Sequence, residues 1–153
     1  LDSVRIIGAG ATAASMAFAS RQLGARAVEL RVRDTARAAS TARTIERLGL
    51  AVTVVPLHVE VLESVDLLVS TVPDGSLAGR EHGFVGTTNA VFDVVYDSWP
   101  TSLMRSAQSE GRPLATGLDL LAHQAVLQVS LMTGDTVEPA VLVTAAMEAL
   151  ASR

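Results

Sequence analysis

No cysteine and no lysine occur among the 153 residues, and aromatic side chains make up only 3% of them. Without cysteine there is no disulfide and no thiolate chemistry; this fits a reducing compartment, and a cytoplasmic location is expected. Without lysine there is no Schiff-base amine and no lysine acid or base, since all twelve basic residues are arginine. No basic cluster is interleaved with aromatics, and the net charge is -4, so nucleic acid is not an expected partner. Every apolar run is broken by Arg, Asp, Glu or His before membrane-spanning length, and no signal peptide is visible, so no membrane partner is expected. His58, His82 and His123 lack ligand spacing, and no metal site is expected. What remains is 49% hydrophobic and 18% charged, enough for one globular domain with a proper core. The chain begins at Leu1 and enters its first strand almost at once, so it is expected to be a fragment of a longer protein.

The most informative stretch is Val4-Arg5-Ile6-Ile7-Gly8-Ala9-Gly10-Ala11-Thr12-Ala13. A β-forming run enters a two-glycine turn, and a helical pattern follows at once. Gly8 permits a sharp turn, and Gly10 lets backbone approach a pyrophosphate. The small residues Ala11 and Ala13 let the helix start sit close to the strand, and Ala13 stands where a third glycine is usual. The free N–H groups and partial positive charge of the helix start then suit phosphate.

Downstream, strands and helices alternate. A helix is expected from Thr12 to about Leu23, then a strand over Ala27–Arg33 with Val28, Leu30 and Val32 facing a core. Thr35 is expected to cap a helix running to about Leu48. A third strand covers Ala51–Val55, and Leu57–Ser64 is a short connector for which a helix is one reading. Strands follow at Asp66–Thr71 and Ala90–Tyr96, with a turn at Val72–Gly75 and loop or short helix before Asn89. Thr101 caps a helix over Leu103–Glu110, and Pro113–Gly117 is a sixth strand. Two helices end the chain, about Gly117–Met132 and Glu138–Ala151. The pattern predicts an α/β fold: a doubly wound parallel sheet of the Rossmann type, about six strands, with two C-terminal helices. Residues 1–116 form the dinucleotide-binding domain and 117–153 a helical segment. Ligand is expected at the carboxyl ends of the strands.

Several motifs together resemble the C-terminal, cofactor-binding part of the shikimate dehydrogenase family. They are the loop Gly8–Ala13, the segment Arg33-Asp34-Thr35, and Ser70-Thr71-Val72-Pro73. More specific are Val91-Phe92-Asp93-Val94-Val95-Tyr96 followed by Trp99-Pro100-Thr101-Ser102-Leu103, and Gly117-Leu118-Asp119-Leu120-Leu121-Ala122-His123-Gln124-Ala125 before Thr133-Gly134. The resemblance covers nearly the whole chain. It implies that Gly8, Ala9, Gly10, Ala11 and Thr12 cradle the pyrophosphate. It places Arg33, Asp34, Thr35 and Arg37 around the adenine ribose, and Thr71 and Val72 beside the cofactor. It also implies that Val94 and Gly117 touch the nicotinamide half through backbone, and that Tyr96 and Gln124 reach the substrate, shikimate or 3-dehydroshikimate. The family's catalytic Lys and Asp lie in an N-terminal domain that this chain lacks, so the chain alone is expected to bind cofactor without turnover and to hold no catalytic residue.

Two departures bear on the cofactor. Asp34 stands where the family has the arginine that grips the 2′-phosphate, which favours NAD, while Arg33 and Arg37 flank it and favour NADP. NADP is expected and NAD stays open. Ala11 replaces a usual glycine and adds a methyl near the phosphates. Asp93 is expected to shape a turn, and no Gly-x-Ser-x-Gly elbow supports a hydrolase reading of Ser70. The face of Leu118, Leu121, Ala125, Val129 and Met132 is expected to pack on the last helix or on a second copy in a homodimer. Alternatives are a quinate/shikimate dehydrogenase using NAD and a non-catalytic nucleotide-binding module; a methylene-tetrahydrofolate type is disfavoured by Tyr96 and Gln124.

Overall fold

The computed structural model describes residues 1–96 and 98–151, so the last two residues of the segment expected over 117–153 lie outside the described residues. Six parallel strands form one sheet: β1 (Ser3–Ile7), β2 (Ala27–Val32), β3 (Ala51–Pro56), β4 (Val65–Ser70), β5 (Thr88–Asp93) and β6 (Leu114–Thr116). Their order is β3-β2-β1-β4-β5-β6, the doubly wound order in which the winding reverses between β1 and β4. Helices α1 (Ala11–Gln22), α2 (Ala39–Arg47), α3 (Glu81–Gly86) and α4 (Ser102–Ser109) lie on the two faces, and α5 (Gly117–Thr133) and α6 (Pro139–Ala151) follow β6. The register sets Ile7 opposite both Arg31 and Ser70, so β1, β2 and β4 end level with one another. The turns that leave these three strands therefore converge.

Alternation along β1 and β2 divides the two faces. Val4, Ile6, Val28, Leu30 and Val69 pack with Ala13 and Ala17 of α1 and Ile45 of α2. The alanines let α1 lie close to the sheet. On the other face Ile7, Leu68 and Val91 pack with Phe84, Val85, Leu103 and Ala107 of α3 and α4. Burying each large aliphatic side chain contributes roughly 1.5–3 kcal/mol.

The second face is charged where it lies over β1 and β2. Arg5 and Arg31 are among the most deeply buried side chains of the protein. One oxygen of Glu29 accepts from Arg5 Nε at 2.5 Å and from Arg31 Nε at 2.6 Å. The other guanidinium nitrogens hold backbone: Arg5 Nη2 donates to Glu63 O, and Arg31 Nη1 and Nη2 donate to Val59 O and Val61 O. Arg5 Nη1 donates to Thr87 Oγ1. This corrects the helical reading of Leu57–Ser64: the segment carries no helix, because the carbonyls that a helix would use internally accept from the two arginines instead.

Other local expectations differ too, among them the sixth strand, which spans Leu114–Thr116 rather than Pro113–Gly117. Thr35 does not cap α2; the helix starts later, with Ala38 at its N-cap, and Asp34 Oδ1 organises the preceding turn by accepting from the Ala36 and Arg37 N–H groups. The fifth strand ends at Asp93 rather than Tyr96, since the Asp93 carboxylate accepts from Val95 N–H and draws the chain out of the ladder. The fourth strand spans Val65–Ser70, one residue earlier than read. α5 is closed at its start by a Thr116–Asp119 capping box and at its end by Gly134 in the left-handed conformation. Leu118 and Ala122 of α5 are buried and α5 packs chiefly on α6, while Leu131 and Met132 remain 88% and 84% exposed. Among the described residues no helix is long and apolar enough to cross a membrane.

Burial pushes the Glu29 carboxyl up, but hydrogen bonds and charge from Arg5 and Arg31 together hold it below its ordinary 4.5. Stability from this group is therefore full above about pH 4.5 and is lost as pH falls through the lowered folded value. Glu29→Gln leaves two buried cations without an anion and is predicted to cost about 3 kcal/mol at neutral pH. Urea unfolding across pH 3–7 checks this: the variant should also lose the part of the acid limb that Glu29 supplies.

Candidate functional site

The glycine turn is held from both flanks. Ile7 O accepts from Thr71 N at 3.0 Å and from Thr71 Oγ1 at 2.8 Å, while Gly8 N donates to Arg31 O at 2.9 Å. Gly8 sits at φ +110°, and a Cβ there would collide with Thr71 Oγ1. Next along, Ala9 O accepts from Thr41 Oγ1 at 2.7 Å. Gly10 then forms the N-cap of α1 with extended backbone, no side-chain cap, and nothing within 4 Å of where its Cβ would lie. The Ala14 N–H returns to Gly10 O at 3.2 Å, which leaves the earlier N–H groups of the first turn without intrahelical partners.

The N-cap Gly10, with Gly8 and Ala9 before it, borders a cavity of about 290 Å³ at the carboxyl ends of β1, β2 and β4. Of the sequence-predicted residues, Gly8, Ala9, Gly10, Arg33, Asp34, Arg37 and Val72 line it. Arg33 and Arg37 are exposed, and neither guanidinium forms a hydrogen bond or ion pair among the described residues. They stand as free cations at the cavity. Asp34 also lines the cavity; one of its oxygens is spent on its own turn, and the other accepts no hydrogen bond among the described residues. Ala11 and Thr12 occupy the exposed first turn of α1, Thr35 lies exposed in the turn before α2, and Thr71 sits behind Gly8. Sequence reasoning missed Leu57 and Ser76, which also line the cavity. Leu57 directly follows the carboxyl end of β3, and that position is the signal a sequence carries for it. Ser76 follows the Pro73-Asp74-Gly75 turn.

A second group lies farther along the same edge of the sheet. A Cβ on Gly117 would strike Val94 O and come 3.1 Å from Tyr96 Cδ1, so Val94, Tyr96 and Gly117 are in close apposition. Gln124 lies exposed on α5, and no hydrogen bond joins it to Tyr96 among the described residues. Asp93 anchors this region. Its Oδ2 accepts from Thr101 Oγ1 at 2.6 Å, and Thr101 in turn accepts from Met104 N at the start of α4. Burial pushes the Asp93 carboxyl above its ordinary 3.8 against hydrogen bonds from Thr101, Val95 and Ser70 that lower it. Asp93 thus shapes the turn that carries Val94 and Tyr96.

Among the described residues the histidine nearest a serine and a carboxylate, His82, forms no triad. Ser106 and Glu110 both meet the same ring nitrogen of His82, Nδ1, so they compete for it and cannot relay a proton across the imidazole. Among the described residues no group of three or more His, Cys, Asp or Glu could hold a metal ion.

The two glycines make opposite predictions. Gly8→Ala, forced to positive φ against Thr71, should destabilise the fold by about 2 kcal/mol. Gly10→Ala should cost within about 1 kcal/mol, as a poorer N-cap whose methyl meets no neighbour. Thermal unfolding of both variants checks the difference.

No protein-family model matches the chain. Shikimate dehydrogenase (NADP(+)) of Paramagnetospirillum magneticum is 36% identical over 127 residues, covering 79% of this chain and 45% of that protein. The crystal structure of Mycobacterium tuberculosis shikimate dehydrogenase superposes with a TM-score of 0.80 at 28% identity, over 97% of this chain and 56% of that one. Quinate dehydrogenase from Corynebacterium glutamicum, in complex with NAD, superposes with a TM-score of 0.77 at 29% identity, over 97% and 55%. The chain thus spans about half the length of the curated relatives it matches. By sequence and by fold, this chain corresponds to the C-terminal half of the shikimate dehydrogenase family.

Proposed function

We propose that this chain is the cofactor-binding half of an NADP-dependent shikimate dehydrogenase, which reduces 3-dehydroshikimate to shikimate. The observation that carries the reading is one cavity at the winding reversal, bordered on one side by the uncapped start of α1 and on the other by the free Arg33 and Arg37. A dinucleotide has the matching features: a pyrophosphate for the N–H groups and, in NADP, a 2′-phosphate for the arginines. The open space at Gly10 leaves room for a phosphate where any side chain would intrude. When bound, the cofactor supplies the hydride.

This chain's own residues bind and orient. Gly8 to Thr12 receive the pyrophosphate, Arg33 and Arg37 the 2′-phosphate, and Thr71 holds the turn from behind while Val72 packs beside the cofactor. Thr35, in the turn between the arginines, completes the adenosine side. Val94 and Gly117 border the nicotinamide half. Tyr96 and Gln124 offer polar groups to a polyol acid; the Gln124 amide can both donate and accept. Proton transfer to the reduced carbonyl falls to the Lys and Asp of the N-terminal half found in the family, so the chain alone binds NADP(H) without turnover. Residues 1–116 act as the dinucleotide domain and 117–153 as the segment that packs toward that other half. The exposed Leu127, Leu131 and Met132 suit a face covered by it, and a second copy of the chain is the other occupant. A cytoplasmic location goes with this reading.

NAD is the second reading, favoured by the free oxygen of Asp34, which suits ribose hydroxyls, and by the NAD complex of the quinate dehydrogenase neighbour. Two free cations against one half-engaged carboxylate favour the phosphate. Fluorescence titration of the chain with NADPH and NADH tests the choice. NADPH should bind more tightly, and the double change Arg33→Gln with Arg37→Gln should weaken it by about tenfold or more, some 1.4 kcal/mol, with NADH little altered. NADH binding tenfold tighter than NADPH would overturn the NADP reading.

A further inference from the structure

Thr41 belongs to none of the motifs that mark the cofactor site. It lies on α2, is buried, and its hydroxyl donates to Ala9 O at 2.7 Å, thirty-two residues earlier in the chain. The consequence follows from peptide geometry. In a planar trans peptide the carbonyl and the next N–H point in opposite directions. With the Ala9 carbonyl held on Thr41, the Gly10 N–H is turned the other way. Gly10 N–H has no partner among the described residues, and Gly10 lines the cavity.

The Ile7–Gly8 peptide, two units earlier, contrasts with it. The Ile7 carbonyl is held by Thr71, and the opposed Gly8 N–H is consumed by Arg31 O, so that unit is structural. The Ala9–Gly10 unit is the first in the turn whose carbonyl is tied down and whose N–H is left free. A valine at position 41 would keep the shape and remove the donor, which frees the peptide to rotate and offer its carbonyl to an anion.

Thr41 also lies on the helix that follows the 33–37 turn. Its hydroxyl thus ties the helix that follows this turn to the loop that borders the cavity.

We infer that Thr41 is a positioning residue for dinucleotide binding: it orients the Ala9–Gly10 peptide so that Gly10 N–H is presented to the pyrophosphate. The inference rests on the proposed cofactor reading of this cavity. It differs from a packing role, which would affect any ligand of the pocket alike.

The experiment compares two probes by titration of the chain: NADPH, and adenosine 2′-monophosphate, which carries the 2′-phosphate and no pyrophosphate. Thr41→Val should weaken NADPH about tenfold and leave adenosine 2′-monophosphate within about twofold, and Thr41→Ser should restore NADPH to within about twofold of the parent chain. A valine variant that binds NADPH as the parent does, one that loses both probes equally, or a serine variant that fails to restore binding would each overturn the inference while the parent's NADPH binding upholds the site. A parent chain that binds neither probe would overturn the cofactor reading and this inference with it.

Discussion

A single carboxylate oxygen on Glu29, shared by two buried guanidinium groups, is the interaction on which the arrangement of this molecule turns. The chain must travel from β3, at one edge of the sheet, to β4, at its centre, and it does so through residues 57–64 without a helix. A strap of irregular backbone against a sheet face exposes carbonyls that need donors. Arg5 and Arg31 supply them, and Glu29 balances part of their charge. Arginine suits this better than lysine would, because its planar fork can meet a carboxylate and several carbonyls at once. The strap in turn delivers β4 beside β1 and brings Leu57 to the rim of the cavity.

The turn after β1 shows the complementary logic. Its carbonyls are satisfied outward, by Thr71 and Thr41, so that the N–H groups which remain are those that face open space. Positive partial charge then gathers at one point: the start of α1, with two unpaired arginines across the cavity. A net charge of -4 over the whole chain coexists with this cationic mouth because Asp34 is the one acid among its lining residues, set against Arg33 and Arg37. Asp34 closes its own turn, Asp93 holds Thr101, and Asp74 accepts from Ser102 N–H.

How much of this was legible in the sequence depends on how local each signal is. The strands announce themselves as short β-branched runs closed by turn residues, and their regular alternation with helices implies the parallel sheet. Gly8 is legible because a strand ends on it and a helix follows. Arg5 and Arg31 were not legible as core residues. A charged position in an alternating strand reads as solvent-facing, and only the register that sets Arg5 beside Glu29, plus a strap dozens of residues away, reverses that. Thr41 escaped for the same reason, since its partner is remote in sequence. Asp34 is a different case: its bonds to Ala36 and Arg37 are local, an Asx-type turn of the kind Asp favours and one that a sequence can signal. Tyr96 and Gln124 are marked by the family resemblance alone, and no hydrogen bond joins them among the described residues.

The central claim is that one preorganised cavity, at the reversal between β1 and β4, receives a dinucleotide through backbone N–H groups on one side and arginines on the other. Amide chemical-shift mapping of the chain on addition of NADPH tests it most directly. The account predicts that the largest perturbations fall on Gly8, Gly10, Ala11 and Thr12 and on residues 33–37, with Val59, Val61 and α6 nearly unmoved. Saturable binding that shifts α5 and α6 or the 57–64 strap while Gly10 to Thr12 stay still would contradict it.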